Sequence, residues 1–244
     1  MKQRLDKALV QKGLVSTRSQ AESYIRLGKV KVDGRVVTKA GTLIDNEKLE
    51  ITQKEQYVSR AALKLESVSK EFGVDFRGKI VLDVGSSTGG FTDFALKNGA
   101  KKVIAIDVGT KQLHPTLRGN QKIELHEQTD IRNVAKLSSI PDVVVIDVSF
   151  VSLRDILPRV NNLIAKNTLV IAMVKPQFEA KVSSVKHKGI IKNESIRRDI
   201  LRDFEQWSKD HFVIQKKQDS AVSGEKGNRE RFYLMRKTQA KNQR

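Results

Sequence analysis

Four short runs of apolar, largely β-branched residues constrain this chain more than any other feature: Lys79–Val84, Val103–Val108, Val143–Val148 and Thr168–Val174. Their apolar residues face both ways, so each predicts a strand covered on both sides, as in a parallel sheet between two helix layers. Helical stretches accompany them. Ser59–Phe72 carries Ala61, Leu65, Val68 and Phe72 on one face, and Gly89–Lys97 closes near Gly99. Asn193–Trp207 is capped by Asn193 and shows Ile196, Ile200, Phe204 and Trp207 as a stripe. Lys122–His126 is a shorter β-type run. His211–Gln215 and Arg231–Arg236 flank the polar, glycine-containing loop Ser220–Arg229 and predict antiparallel pairing at one end of the sheet. The polar tail Lys237–Arg244 is expected to fray.

Residues 1–58 read differently. Leu5, Ala8 and Leu9 recur at helical spacing, and Gly13 stops that turn. Ser16 or Thr17 caps a second helix that carries Ala21, Tyr24 and Ile25 and ends at Gly28. Lys29–Val32 and Arg35–Val37, split by Asp33-Gly34, predict a hairpin with a type I′ turn. Leu43, Asp45 and then Leu49–Ile51 supply another strand. So little buried area marks a small α+β accessory domain, residues 1–58, before an α/β domain spanning 59–244.

The charge balance bears on partners. Lys+Arg number 46 and Asp+Glu 28, a formal net charge of +18. Both parts share the surplus, with 12 basic against 7 acidic residues in 1–58 and 34 against 21 in the remainder. Folding needs no such excess, so it points to a polyanion lying across both parts. The stretch Arg4-Leu5-Asp6-x-x-Leu9, Ser16-x-Arg18-Ser19-x-Ala21 and Ile25-x-x-Gly28-x-Val30-x-Val32-Asp33-Gly34 resembles the alpha-L RNA-binding domain of ribosomal protein S-four and many pseudouridine synthases. Arg4, Lys7, Lys12, Arg18, Arg26 and Lys29, joined by Arg60 beyond the boundary, are suited to phosphate contacts.

Absences narrow the chemistry. The chain has no cysteine, which removes disulfides, cysteine-ligated zinc, iron–sulfur clusters and thiol nucleophiles. Its four histidines, at 114, 126, 187 and 211, have no metal-ligand spacing, so no metal is expected. The longest apolar run, Leu169–Val174, falls far short of the roughly 20 residues of a membrane span. The start MKQRLDKALVQKG has no apolar signal core. A cytoplasmic protein with no membrane partner is the expectation.

The first apolar run leads into Asp83-Val84-Gly85-Ser86-Ser87-Thr88-Gly89-Gly90-Phe91 and then a helix. Strand, glycine-rich turn and helix N-terminus cradle a nucleotide-like ligand at the carboxyl edge of a sheet. The spacing is not G-x-G-x-x-G, because Ser87 stands where a pyrophosphate needs the second glycine. The turn therefore favours S-adenosyl-L-methionine over NAD, with Asp83 neighbouring the sulfonium. Asp107, ending Ala105-Ile106-Asp107, suits both ribose hydroxyls of either cofactor. Asp130 suits the adenine amino group, with Ile131 flanking the ring.

Four charged residues stand in pointed contexts. Lys64 flanks the apolar face of its helix, and Asp147 interrupts Val143–Val148. Lys175 ends the most apolar run, before Pro176, and Glu230 stands where Gly227-Asn228-Arg229 becomes the last strand. Charges at carboxyl strand ends face the ligand crevice rather than the core.

Together with Ser59-Arg60-Ala61-Ala62-Leu63-Lys64-Leu65, the glycine turn, Asp147-Val148-Ser149-Phe150, Val174-Lys175-Pro176-Gln177-Phe178-Glu179 and Gly227-Asn228-Arg229-Glu230, they resemble the hemolysin-A-like (TlyA) family of ribosomal RNA methyltransferases. The catalytic domain of that family is similar to FtsJ-type ribose 2′-O-methyltransferases. The resemblance implies a Rossmann-like sheet, S-adenosyl-L-methionine as cofactor, ribosomal RNA or a ribosomal subunit as partner, cytidine as target, and a tetrad on Lys64, Asp147, Lys175 and Glu230. Ala61-Ala62 departs from the family's glycine pair.

In that reading Lys175 is the general base for a ribose 2′-hydroxyl, Asp147 and Glu230 orient the lysines and the hydroxyl, and Lys64 stabilises charge on oxygen. Carbon-five methylation of a pyrimidine needs a cysteine nucleophile, which is absent. Exocyclic-amine methylation usually uses an Asn/Asp-Pro-Pro-aromatic loop, where this chain has Lys175-Pro176-Gln177-Phe178. Lys181–Lys192 reads as a basic loop over the substrate. Two alternatives remain: a non-catalytic RNA- or ribosome-binding protein, which needs no tetrad, and a cytolysin, which needs an export route and a membrane-inserting segment.

Overall fold

The structure is a computed structural model and describes residues 2–15, 18–52, 57–180, 189–191, 193–222, 224 and 227–238. The chain opens with β1 (Gln3–Arg4), α1 (Leu5–Gln11) and α2 (Arg18–Arg26). Leu5, Ala8 and Leu9 of α1 are buried in one cluster with Ala21, Tyr24 and Ile25 of α2. The caps expected of Ser16 and Thr17 lie outside the described residues. β2 (Val30–Val32) turns into β3 (Arg35–Val36) through Asp33 at φ 47° and Gly34 at φ 77°, the left-handed pair that a type I′ turn requires.

The segment after Leu43 corrects the expectation of one strand. β4 (Leu43–Ile44) pairs with β1, whereas β5 (Leu49–Ile51) pairs with β2. A turn around Asp45 and Glu47 redirects the chain, so two short strands serve different partners.

Asp6 anchors this unit. Its side chain is fully buried and accepts from Arg4 Nε and Nη2 at 3.0 and 2.9 Å, from Arg18 Nε at 2.8 Å and from Lys7 N at 2.9 Å. Burial pushes its pKa upward, but the two guanidiniums outweigh that and hold the carboxyl at about 2.

Next follow α3 (Ala61–Phe72), β6 (Ile80–Val84), α4 (Gly90–Lys97), β7 (Lys102–Ile106) and β8 (Ile123–His126). After a 3-10 turn over Ile131–Asn133 come β9 (Val143–Ile146), α5 (Leu153–Leu163), β10 (Leu169–Val174) and α6 (Pro176–Glu179). α7 (Glu194–Ser208), β11 (Phe212–Asp219) and β12 (Arg231–Lys237) complete the described elements. Seven strands form one sheet in the order β11-β12-β10-β9-β6-β7-β8. The five from β10 to β8 run parallel, and β12 and β11 are antiparallel.

Both faces are covered, as the apolar runs demand. Val81, Val103, Ala105, Val143 and Val145 pack with α3 and α4, while Leu82, Ile104, Val144 and Ile146 pack with α5 and α7. The chain steps outward from β6 through β7 to β8 and then returns to β9 on the other side of β6. That reversal opens a crevice beyond the carboxyl ends of β6 and β9.

Helix α5 is not among the helices expected from the sequence, and it carries Pro158 in its interior. Proline inside a helix costs about 3 kcal/mol. Leu153, Ile156, Leu157 and Val160 offset this by burial against the sheet, at roughly 1.5–3 kcal/mol for a fully buried aliphatic side chain. The stripe of α7 is also rotated from expectation. Ile196 is exposed, and the buried face is Arg197, Ile200, Leu201 and Phe204.

Asp6 gives a pH test. A depressed carboxyl stabilises the fold above its unfolded pKa, and that stabilisation is lost as pH falls through the folded one. Asp6→Asn therefore lowers the stability of the full chain at pH 7, and the deficit relative to wild type shrinks between about pH 4 and pH 2. Denaturant titrations across that window check it; a deficit independent of pH contradicts it.

Candidate active site

The glycine turn after β6 is shaped by how close other atoms come. Gly85 sits at φ 81°, and a Cβ there would lie 2.8 Å from the carbonyl oxygen of Asp147. The backbones of β6 and β9 thus meet in a way only glycine permits. Gly90, opening α4, packs against the start of α3, and a Cβ there would collide with Ser59 Oγ and the Ala61 side chain. Gly89 takes φ 88° beneath Leu113 and Leu117.

Two cavities open over this turn. The larger, about 430 Å³, is walled by Ser87, Asp107, Asp130, Ile131, Val148 and Phe150. The smaller, about 130 Å³, is bounded by Ala61, Ser86, Thr88, Gly90, Phe91 and Lys175. Gly85, Ser87, Asp147 and Ser149 line both, so the cavities share a wall.

The aspartates expected around the cofactor divide. Asp107 faces the larger cavity and accepts from Ser87 N at 2.8 Å and Gly109 N at 2.7 Å, which pins its carboxylate at the end of β7. Asp130 also lines it, where it caps the 3-10 turn through Arg132 N and pairs with the Arg132 guanidinium. Arg132 holds the Asp130 carboxyl below the usual range.

Asp83 departs from expectation. It is wholly buried under the turn, faces neither cavity, and accepts from Thr92 Oγ1 of α4 at 2.6 Å. The cause is alternation: Asp83 shares the Val81 side of β6, which packs on α3 and α4. Burial, abetted by the charges of Asp147 and Asp107 and opposed by Thr92, pushes its pKa up to about 7.

The four charged residues from distant segments form two pairs, of which Asp147 and Lys175 line the smaller cavity. Lys175 Nζ lies 2.6 Å from Asp147 Oδ1 and donates to Ser149 Oγ at 2.7 Å. Lys64 Nζ lies 2.7 Å from Glu230 Oε2. The pairs are neighbours, because Val174 of β10 stands opposite Arg231 of β12 and the next step of that register sets Lys175 beside Glu230. All four side chains are 14% exposed or less.

Several supporting residues escape sequence reasoning. Ser149 stands in the run Asp147-Val148-Ser149-Phe150, yet nothing in that run marks it as a partner of Lys175. Glu179 is buried and accepts from Ser152 Oγ at 2.6 Å and Leu153 N at 2.7 Å, tying the segment after β10 to the segment after β9. Burial raises its pKa, against those hydrogen bonds. Asp219 receives Arg197 and Arg231 at 2.7 and 2.6 Å and Arg229 at 3.3 Å. It thereby fixes the two neighbours of Glu230, whose register the loop's sequence leaves open.

The basic residues expected to meet phosphate also divide. Lys7, Lys12, Arg18 and Arg26 are exposed, and Arg4 and Arg60 half-buried. Arg4 and Arg18 are already bonded to Asp6, which gives them a structural task. Lys29 is reassigned. Its ammonium is 2.7 Å from Glu66 of α3, with 12% of the side chain exposed. Of the basic loop 181–192, the described part is 189–191, which Asn228 holds through Ile191 N and Gly189 O. Among the described residues no group of three His, Asp or Glu side chains is placed to hold a metal, and no helix is long and apolar enough to cross a membrane.

Two known families match parts of the chain. The FtsJ-like methyltransferase family matches residues 57–237, and the S4 domain matches residues 3–50. A 23S rRNA (cytidine-2′-O)-methyltransferase TlyA of Campylobacter jejuni is 42% identical over 78% of this chain and 75% of its own. Hemolysin A of Brachyspira hyodysenteriae is 40% identical over 82% of this chain and 85% of its own. A solved structure from Streptococcus thermophilus, described as a proposed hemolysin, is 36% identical and superposes with a TM-score of 0.73 over 97% of this chain and 89% of that one.

Asp83 carries a second pH test, opposite in sign to Asp6. Its folded carboxyl keeps a proton up to about pH 7, whereas the unfolded chain releases it near pH 4, so its contribution to stability falls as pH rises between them. Asp83→Asn keeps an acceptor for Thr92 and removes this penalty. The variant gains stability relative to wild type from about pH 4 to pH 7; parallel melting curves across that range contradict it.

Proposed function

From the premise that the chain belongs to the FtsJ-like methyltransferase family, we propose that it methylates a ribose 2′-hydroxyl of ribosomal RNA, on cytidine, in the cytoplasm, with S-adenosyl-L-methionine as donor. One observation carries this reading. Two lysine–carboxylate pairs from four separate segments stand side by side, and one of them, Lys175 with Asp147, lines a recess that shares its wall with a nucleoside-sized cleft. The relative named a 23S rRNA (cytidine-2′-O)-methyltransferase supports the choice of substrate. The S4 domain match and the net charge of +18 support an RNA partner.

The larger cleft fits the cofactor. Gly85 leaves room that any Cβ would fill, Asp107 presents a fixed carboxylate at a strand end for ribose hydroxyls, and Asp130 and Ile131 close the far side. When bound, S-adenosyl-L-methionine supplies an electrophilic methyl group. The chain's own residues do the rest. Lys175 in its neutral form accepts the 2′-hydroxyl proton as general base, so the oxygen leaves the site methylated and the ammonium carries the proton. Ser149 takes one hydrogen of that amine, and the Asp147 carboxylate beside it holds the amine in place. Lys64, steadied by Glu230, stabilises negative charge as it develops on the oxygen. Holding these groups in place supplies most of the acceleration.

Isothermal titration tests the cofactor and the base together. Wild type and Lys175→Ala both give saturable heat with S-adenosyl-L-methionine and none with NADH, while Lys175→Ala loses methyl transfer by about 10²-fold or more. Full activity in Lys175→Ala removes the base from the mechanism, and NADH binding removes the cofactor.

A further inference from the structure

The two ion pairs rest on different supports. Asp147 and Lys175 directly follow the parallel strands β9 and β10, so the sheet sets them. Lys64 and Glu230 depend on a helix and a loop. Leu63, beside Lys64 on α3, is 3% exposed, yet its side chain does not join the sheet's cores as Ala62 and Leu65 do. It packs in the cluster of Leu5, Leu9 and Ile25 in the N-terminal unit. Val222, in the loop that leads to Glu230, is 2% exposed and enters the same cluster.

Hydrogen bonds connect these anchors to the charged pair. Ser220 N donates to Glu230 O at 2.9 Å, and Ser220 Oγ donates to Val222 O at 2.7 Å. Ala221 N reaches Ser67 Oγ of α3 at 3.4 Å. Outside the apolar contact, Lys29 of the N-terminal unit and Glu66 of α3 make a mostly buried ion pair at 2.7 Å. Leu63, Lys64, Glu66 and Ser67 thus lie on adjoining faces of one helix, turned to the N-terminal core, Glu230, Lys29 and the loop in turn.

We infer that the N-terminal unit is a structural member of the catalytic centre, beyond carrying RNA: by taking Leu63 and Val222 into its own core and pairing Lys29 with Glu66, it positions Lys64 against Glu230. Leu63 and Val222 are positioning residues, acting through the pair beside them. This rests on the proposed methyl transfer, and none of these residues lines the cofactor cleft.

The test uses the full chain in six forms: wild type, Leu63→Ala, Val222→Ala, Lys29→Glu, Glu66→Lys and the double reversal of the last two. Each is measured for S-adenosyl-L-methionine affinity by titration, and for kcat and KM on ribosomal subunits. The truncations and single reversals lower kcat by about tenfold to a hundredfold and leave cofactor affinity within about twofold, as displacement of a positioned group does. The double reversal recovers most of kcat. Should a truncation fail to fold, the reversals decide alone. Unchanged kcat in both single reversals, a loss confined to KM for RNA, or no recovery in the double reversal overturns the inference. A wild-type chain that binds cofactor and methylates nothing overturns the proposed function instead.

Discussion

The parallel register of four strands governs what this protein can do. Val143 of β9 stands opposite Val81 of β6 and Leu169 of β10, and Ile80 of β6 opposite Lys102 of β7. Strands in such register finish on one edge, so the residues that follow them emerge together. Gly85, Asp107 and Asp147 follow strands that end level, and Lys175 follows β10, which runs two residues beyond the end of β9. The register is held by apolar side chains on both faces, which a one-residue slip would turn to the wrong layer. A site far too polar for a core is built in this way by the most apolar segments of the chain.

Charge burial shows what the arrangement costs. Replacing a buried ion pair by apolar residues is often neutral or stabilising, so two such pairs are weak candidates for stability elements. The pair of Lys175 and Asp147 lines a cleft, where a charge can meet a ligand, and the pair of Lys64 and Glu230 stands beside it. Asp83 pays a similar desolvation cost beneath the same turn with one hydroxyl for company. Asp6 is the contrast. Two arginines and a helix N-terminal amide satisfy it, and it ties the start of α1 to α2.

What could be read in the sequence follows from how local the cause is. The parallel strands were legible because two-sided apolarity has one structural meaning, and the I′ hairpin because Asp33-Gly34 decides its own backbone. Lys64, Asp147, Lys175 and Glu230 could be singled out because charge beside an apolar run is conspicuous; their roles remain the proposal above. Other features were set by tertiary contact. Asp83 looked like a ligand to the cofactor until the alternation of β6 turned it towards Thr92. Helix α5 has no place in the sequence reading, and the stripe of Leu153, Ile156, Leu157 and Val160 that outweighs its internal Pro158 is defined by burial against the sheet. Lys29 looked like a phosphate contact, and Glu66, which claims it, lies in another unit of the chain.

The most direct measurement is mass-spectrometric mapping of ribosomal subunits incubated with the wild-type chain and S-adenosyl-L-methionine. The account predicts a new methyl group on the ribose of a cytidine, seen as a nucleotide linkage that resists alkali. A methyl group on a base atom, or no new mark at all in the presence of bound cofactor, would contradict it.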